Sequence, residues 1–211
     1  FPTLQFRWDF NAKALIDAPL LESKIYGDYN FPHVLAAAAI GRYLSVPYDK
    51  ISEALTNWEP RNNRSQWMAH RGHGVVLDAY NANPDSMQAA LGHFGRMDHP
   101  HKALLLGEML ELGEHSEYEH RFLLENLLRD PWGVCCLVGE AFWNLRAEFP
   151  TFHFFERAED LHRFLGASRW PASAVLVKGS RGNAMEQYLD SLPWADPKTG
   201  QEGTRSTTSG N

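Results

Sequence analysis

The side chains best suited to chemistry fall in three short runs, each placed directly after an apolar stretch. Asp78, Tyr80, Asn81 and Asn83 follow Val75-Val76-Leu77, Glu108 and Glu111 follow Leu104-Leu105-Leu106, and Lys178, Ser180 and Arg181 follow Val175-Leu176-Val177. A carboxylate beside carboxamides can bind hydroxyl and amine groups. The glycine-flanked cationic loop Lys178-Gly179-Ser180-Arg181-Gly182 suits a carboxylate or a phosphate. Taken singly, each run also has an ordinary reading: a well-capped β–α connection, a solvated acidic loop, a glycine ahead of a helix. Three polar loops at the strand ends of one sheet carry more weight together than apart.

The elements that must position these loops are legible around them. After Asp78, Asn83 can cap a helix, Pro84 suits its first turn and Asp85 complements its dipole. Met87, Ala90, Leu91 and Phe94 then recur at the helical spacing. From about residue 65 the pattern predicts strands near 74–78, 102–106, 133–138, 152–155 and 174–178. Helices are expected near 84–94, 115–129, 141–148, 158–165 and 184–192. Alternation of this kind implies an α/β fold, a Rossmann-like, mostly parallel sheet with helices on both faces. In such sheets ligands bind at the carboxyl ends of the strands, where all three runs lie.

The chain ahead of this region is less regular. Leu4-Gln5-Phe6-Arg7-Trp8 reads as a strand, Val34 to Gly41 as a helix rich in small residues, and Tyr48 to Leu55 as a second helix closed by Trp58, Glu59 and Pro60. The polar run Arg61-Asn62-Asn63-Arg64-Ser65-Gln66 is the expected joint. This divides the chain into residues 1–60, a C-terminal domain over 61–194, and a polar tail over 195–211 expected to be disordered. The apolar faces of the first part, including Val34, Leu35, Ile40, Ile51 and Leu55, are expected to dock loosely on the C-terminal domain or to form an oligomeric contact. An opening without Met is taken as a fragment boundary.

Composition removes several function classes. A net charge of −6 over 211 residues leaves no basic stripe for nucleic acid. No apolar run approaches the length of a membrane span, and no signal peptide opens the chain. Adjacent Cys135 and Cys136 read as buried strand residues of a reducing compartment, so a cytoplasmic location is expected. Among the ten histidines, His115 and His120 are five apart, off the i, i+4 spacing of a zinc helix, so no metal site is expected. Neither a Gly-x-x-x-x-Gly-Lys-Ser/Thr segment nor a Gly-x-Gly-x-x-Gly segment occurs, so the chain does not encode a complete phosphate site of either type.

Asp78-Ala79-Tyr80-Asn81-Ala82-Asn83-Pro84, with Asn62-Asn63-Arg64-Ser65-Gln66 upstream and Leu106 to Gly113 and Lys178 to Gly182 downstream, resembles the Mur ligase family. The Tyr-Asn-Ala-Asn-Pro run is similar to the branch that joins D-Ala-D-Ala to UDP-N-acetylmuramoyl-tripeptide in peptidoglycan precursor synthesis. The resemblance covers about residues 1–194: the end of a central ATP-binding domain and a whole C-terminal domain. It implies that ATP activates the tripeptide carboxylate as an acyl phosphate, which the amine of D-Ala-D-Ala attacks, with Mg²⁺ offsetting phosphate charge.

The same resemblance distributes roles. Asn30 matches the first position of an Asn-x-x-Asn adenine-site pattern, and His33 stands at the second, a departure. Arg64 matches the arginine that reaches the γ-phosphate, and Asp78 the acid on the ATP ribose. Tyr80, Asn81 and Asn83 match the loop facing the reacting ends, so Arg64, Asn81 and Asn83 are the catalytic candidates. Lys178, Ser180 and Arg181 are implied only to lie near the peptide or D-Ala-D-Ala. The phosphate loop, the Mg²⁺ ligands and a UDP-binding domain are implied upstream of Phe1, so the chain alone is expected to be inactive, and no oligomer is required. A related amide ligase such as folylpolyglutamate synthase shares the architecture but is not expected to carry Tyr80-Asn81-Ala82-Asn83-Pro84. A non-catalytic Rossmann-like ligand-binding module is the reading of a different class.

One consequence is directly testable. If His33 simply stands in for an adenine-site asparagine, His33→Asn in the complete protein keeps or tightens ATP affinity. A large loss of activity with intact folding gives His33 a role of its own.

Overall fold

The structure, a computed structural model, describes residues 3–8, 19–171 and 174–193. Among these, eight strands form one sheet: β1 (Thr3–Phe6), β2 (Leu21–Tyr26), β3 (Gln66–His70), β4 (His73–Asp78), β5 (Lys102–Gly107), β6 (Val134–Val138), β7 (His153–Phe155) and β8 (Ala174–Lys178), in the order β1-β2-β3-β4-β8-β5-β6-β7. Pairing is parallel from β4 through β8, β5 and β6 to β7. It is antiparallel among β1, β2, β3 and β4. The mostly parallel α/β fold expected from the alternation is thus present.

Strand residues alternate between two cores, as the period of two requires. Val76, Leu104, Leu106, Cys135, Leu137 and Leu176 face α3 (Pro84–Gly95), α4 (Ser116–Leu127) and α5 (Glu140–Leu145), which supply Met87, Phe94, Leu124 and Phe142. Val75, Leu77, Leu105, Cys136 and Val177 face the other way, onto Leu161 and Leu165 of α6 (Ala158–Ala167) and onto Met185 and Tyr188. The neighbouring cysteines therefore sit in opposite cores, each a free buried thiol whose pKa burial pushes up.

Three features depart from the expected pattern. The last helical segment, Met185–Ser191, is a 3₁₀ helix, entered through Ala184 in the left-handed region (φ 45°). Leu21–Tyr26 forms a strand where no periodicity announced one. Gln66–His70 pairs as a hairpin arm with β4 through a two-residue turn at Arg71 and Gly72, both at positive φ. The expected tail, 195–211, lies outside the described residues.

The first part carries α1 (Phe31–Tyr43) and α2 (Tyr48–Asn57) against β1 and β2. Val34 and Ile51 are buried and Leu55 is partly so, but Leu35 and Ile40 are 55% and 60% exposed. The sheet crosses the joint thinly: β2 meets β3 through the single register pair Ile25↔Gln66, beside Tyr26 N–H donating to the Ser65 carbonyl at 3.1 Å.

Behind the strand ends, α4 fixes the loop after β5 through one buried imidazole. His120 Nε2 accepts from the Met109 N–H at 2.9 Å, and its Nδ1 donates to the Ser116 carbonyl at 2.7 Å. Burial lowers the His120 pKa from the ordinary 6.5, against the Ser116 carbonyl and the charges of Glu108 and Glu119. A depressed folded value means that the unfolded chain binds the proton more readily, so the His120 contribution is complete above about pH 6.5 and is lost as pH falls from there towards the folded value. Denaturant unfolding between pH 7.5 and 5 should show this loss, and His120→Gln should remove that part of the pH slope.

Candidate functional site

The strand order brings the expected polar runs to one edge. Asp78 and Lys178 are register partners at the ends of the adjacent parallel strands β4 and β8. Lys178 Nζ lies 2.6 Å from Asp78 Oδ2 and donates to the Asn81 carbonyl at 3.2 Å. The Lys178 side chain is 1% exposed and that of Asp78 is 13% exposed. The other carboxylate oxygen, Asp78 Oδ1, accepts from the Ser65 N–H at 2.9 Å. Ser65 in turn accepts from Asn30 Nδ2 at its hydroxyl, 3.1 Å away, while Asn30 Nδ2 also reaches the Tyr26 carbonyl at 2.8 Å. A continuous polar chain thus runs from β8 through β4 and the joint to the turn before α1.

The joint itself is held in an uncommon conformation. Asn62, Asn63 and Ser65 all have φ between 43° and 59°, left-handed positions that cost energy for residues with a Cβ. Local hydrogen bonds hold them: Gln66 Oε1 accepts from the Asn63 N–H at 2.9 Å, and Gln66 Nε2 donates to the Pro60 carbonyl at 3.0 Å. This geometry projects Arg64 outward, its guanidinium 3.7 Å from the centre of the exposed Tyr80 ring. Beyond Tyr80, Asn83 caps α3 with its side chain on the Ser86 N–H at 2.8 Å, and Ser86 Oγ accepts from the Asn83 N–H at 3.1 Å.

Together these residues line a cleft of about 490 Å³. Ile25, Tyr29, Trp58 and Pro60 give its wall apolar and aromatic surface, and Arg64, Asp78, Asn81 and Asn83 give it polar and charged groups. A lining of this mixed kind suits a ligand with both apolar and polar parts. Eight of the ten expected site residues line it: Asn30, His33, Arg64, Asp78, Tyr80, Asn81, Asn83 and Lys178.

The other two are placed elsewhere. Ser180 is buried, accepting from the Leu110 N–H at 2.9 Å and donating to the Ala82 carbonyl at 3.3 Å, so it braces two loops. Arg181 is exposed and paired with Glu186. Lys178, although at the cleft wall, directs its ammonium inward to Asp78. The acids after β5 also stand outside: Glu108 accepts from the Ala141 N–H at 2.8 Å, and Glu111 is exposed. Close approach of the β5 and β8 loops depends on two glycines, since a Cβ on Gly179 would fall 2.9 Å from the Gly107 Cα. Ser65 and Trp58 were not among the expected site residues. Ser65 acts mainly through its backbone, and Trp58 was legible only as the close of a helix.

The described residues form an α/β domain with a cleft at the strand ends of a mostly parallel sheet. The family model for "Mur ligase, glutamate ligase domain" matches residues 63–181, and the chain belongs to the Mur ligase family. The UDP-N-acetylmuramoyl-tripeptide–D-alanyl-D-alanine ligase of Mycobacterium leprae is 35% identical over 197 residues, covering 80% of this chain and 37% of that protein. Among solved structures, MurF from Acinetobacter baumannii is similar at 25% identity with a TM-score of 0.77, covering 90% of this chain and 42% of that one. MurF from Thermotoga maritima, solved in complex with ADP, shares the fold at 19% identity and a TM-score of 0.70, over 91% of this chain and 46% of that one. The chain therefore spans less than half the length of each.

The buried pair makes a sharp stability test. Removing one partner leaves an uncompensated charge, so Lys178→Met and Asp78→Asn should each cost about 3–5 kcal/mol in urea unfolding. The double variant should cost clearly less than the sum, because neither charge is then stranded.

Proposed function

We propose that the chain is the C-terminal part of an ATP-dependent ligase that joins D-Ala-D-Ala to UDP-N-acetylmuramoyl-tripeptide in peptidoglycan precursor synthesis. Family membership and the names of its relatives support the class of reaction. The observation that carries the reading is the cleft, where residues of the Asp78–Asn83 run, Arg64 and Asn30 line one cavity together with Tyr29, His33 and Trp58.

In this reading Asn30 and His33 would hold the ATP base, Asp78 the ribose and Arg64 the phosphates, all four being residues that line the cleft. Lys178 and the Ser65 N–H hold the Asp78 carboxylate still, so no reorientation is needed when a hydroxyl binds. Arg64, resting on Tyr80, supplies positive charge where phosphate charge develops as the tripeptide carboxylate is activated. Tyr80, Asn81 and Asn83 then present polar groups to the carboxylate and the incoming amine.

Among the described residues no three His, Cys, Asp or Glu side chains come together to hold a metal ion, so these residues provide no Mg²⁺ ligand set and no step is assigned to one. Among them also, no helix is long and apolar enough to cross a membrane. A cytoplasmic location suits a ligase acting on UDP-linked precursors. With no phosphate loop in its sequence, the 211-residue chain alone should bind Mg·ATP no tighter than millimolar and should not turn it over.

A phosphate-release assay on the complete ligase tests the assignment, with tripeptide precursor and with or without D-Ala-D-Ala. Arg64→Ala should mainly lower turnover by about tenfold to a hundredfold. Asp78→Ala also strands the buried Lys178 charge, so the Asp78 contact is read by comparing Asp78→Ala/Lys178→Met with Lys178→Met, where the apparent ATP constant should rise by a similar factor. Wild-type kinetics in Arg64→Ala with no rise in that comparison, or release indifferent to precursor, would overturn it.

A further inference from the structure

The two walls of the cleft belong to segments far apart in sequence, and the backbone joins them weakly. One wall is Ile25, within β2, with Tyr29 and Asn30 just after it, and β2 meets β3 through a single register pair. The other, Asn81, Asn83 and Ser86, leads into α3. Behind the cleft a side-chain cluster spans the same gap. His93 Nδ1 lies 3.0 Å from Asp28 Oδ1 and 3.5 Å from the Asp28 backbone N, and Arg96 Nη2 lies 3.0 and 3.3 Å from the two Asp28 oxygens.

His93 and Arg96 sit in and just after the last turn of α3, while Asp28 opens the 3₁₀ turn Asp28–Asn30. The His93 ring stands edge-on to Tyr26 at 4.9 Å and to Tyr29 at 6.2 Å, and its side chain is mostly buried. Tyr26, fully buried, reaches Met97 Sδ with its hydroxyl at 3.7 Å. Although burial works against it, the hydrogen bond and charge of His93 and the charge of Arg96 hold the Asp28 carboxyl below its ordinary value. A carboxylate gripped from two sides by one helix is a directional link that apolar packing does not supply.

We infer that Asp28, His93 and Arg96 form a clamp that sets the position of Asn30 and Tyr29 against the Asn81–Ser86 wall, which makes them positioning residues of the nucleotide cleft. The clamp touches no ligand. It acts through the 3₁₀ turn, where the Asn30 N–H donates to the Gly27 carbonyl at 3.2 Å and the Asn30 side chain continues to Ser65. The part of the inference that concerns the nucleotide rests on the function proposed above.

Amide hydrogen exchange on the 211-residue chain and ATP titration followed by amide chemical shifts test it together. Asp28→Ala and His93→Leu, the latter keeping apolar bulk against Tyr26, should speed exchange at residues 28–30 about three- to tenfold. Exchange at Phe94 and Leu104 should stay at the wild-type rate, and ATP should bind more weakly by a similar factor. His93→Gln, which retains a donor for Asp28, should restore both readouts most of the way.

Unchanged exchange at 28–30 in both variants, or a uniform rise across the chain, overturns the clamp. Faster exchange at 28–30 with unaltered ATP affinity overturns its role in the cleft. Failure of the wild-type chain to bind ATP even at tens of millimolar overturns the clamp's role in nucleotide binding and leaves the proposed function to the assay on the complete ligase; exchange with the His93→Gln rescue then decides the clamp alone.

Discussion

An ammonium and a carboxylate side by side on adjacent parallel strands govern this site. Lys178 and Asp78 are register neighbours, and burial of the lysine leaves its charge nowhere else to go. Such a pair contributes little net stability compared with two apolar residues, because desolvation offsets most of the attraction. What it secures is direction. The Asp78 carboxylate takes one orientation, the Asn81 carbonyl is drawn to the same ammonium, and the loops after β4 and β8 are tied together at the point where a ligand meets them.

From that pair the remaining contacts spread outward in a sequence. Ser65 reads the free side of Asp78 through its backbone N–H, which is possible only because the joint folds through left-handed positions. The same fold turns the Arg64 side chain out over Tyr80. Asn30 completes the chain from the far wall, so one cleft collects residues from four segments whose backbones are linked in series by the β2–β3, β3–β4 and β4–β8 pairings. The polar network replaces the sheet ladder where the ladder is thinnest.

Much of this was legible in the residues. The parallel core follows from apolar runs at β–α spacing, and Asn83-Pro84-Asp85 marks the start of α3 through capping chemistry that needs no tertiary context. The Asp78–Asn83 run and Arg64 pointed to the cleft. Other parts were not legible, for identifiable reasons. Leu-Glu-Ser-Lys-Ile-Tyr in β2 alternates only weakly, because polar Ser23 takes a buried position and Ile25 and Tyr26 are buried in succession. The β3 hairpin turns at Arg71-Gly72, outside the usual Asn-Gly signal. Whether the glycine-flanked Lys178 and Ser180 face a ligand or brace the interior is not written in the local sequence; Lys178 lies at the cleft wall on Asp78, and Ser180 joins two loops. Their burial is a tertiary property. The Asp28–His93 link spans 65 positions and has no local trace.

The surface of α1 has a further physical consequence. Only Val34 and Ala38 are buried along a helix of Phe, Leu, Ile, Ala and Tyr, and Tyr43 stands 87% exposed. A helix apolar on every side is built for an interior. Left in water it behaves as a patch whose hydration is costly, and the cost rises with any solute excluded from protein surfaces. Sulfate and phosphate salts, which are excluded from protein surface, are therefore expected to favour the covering of α1.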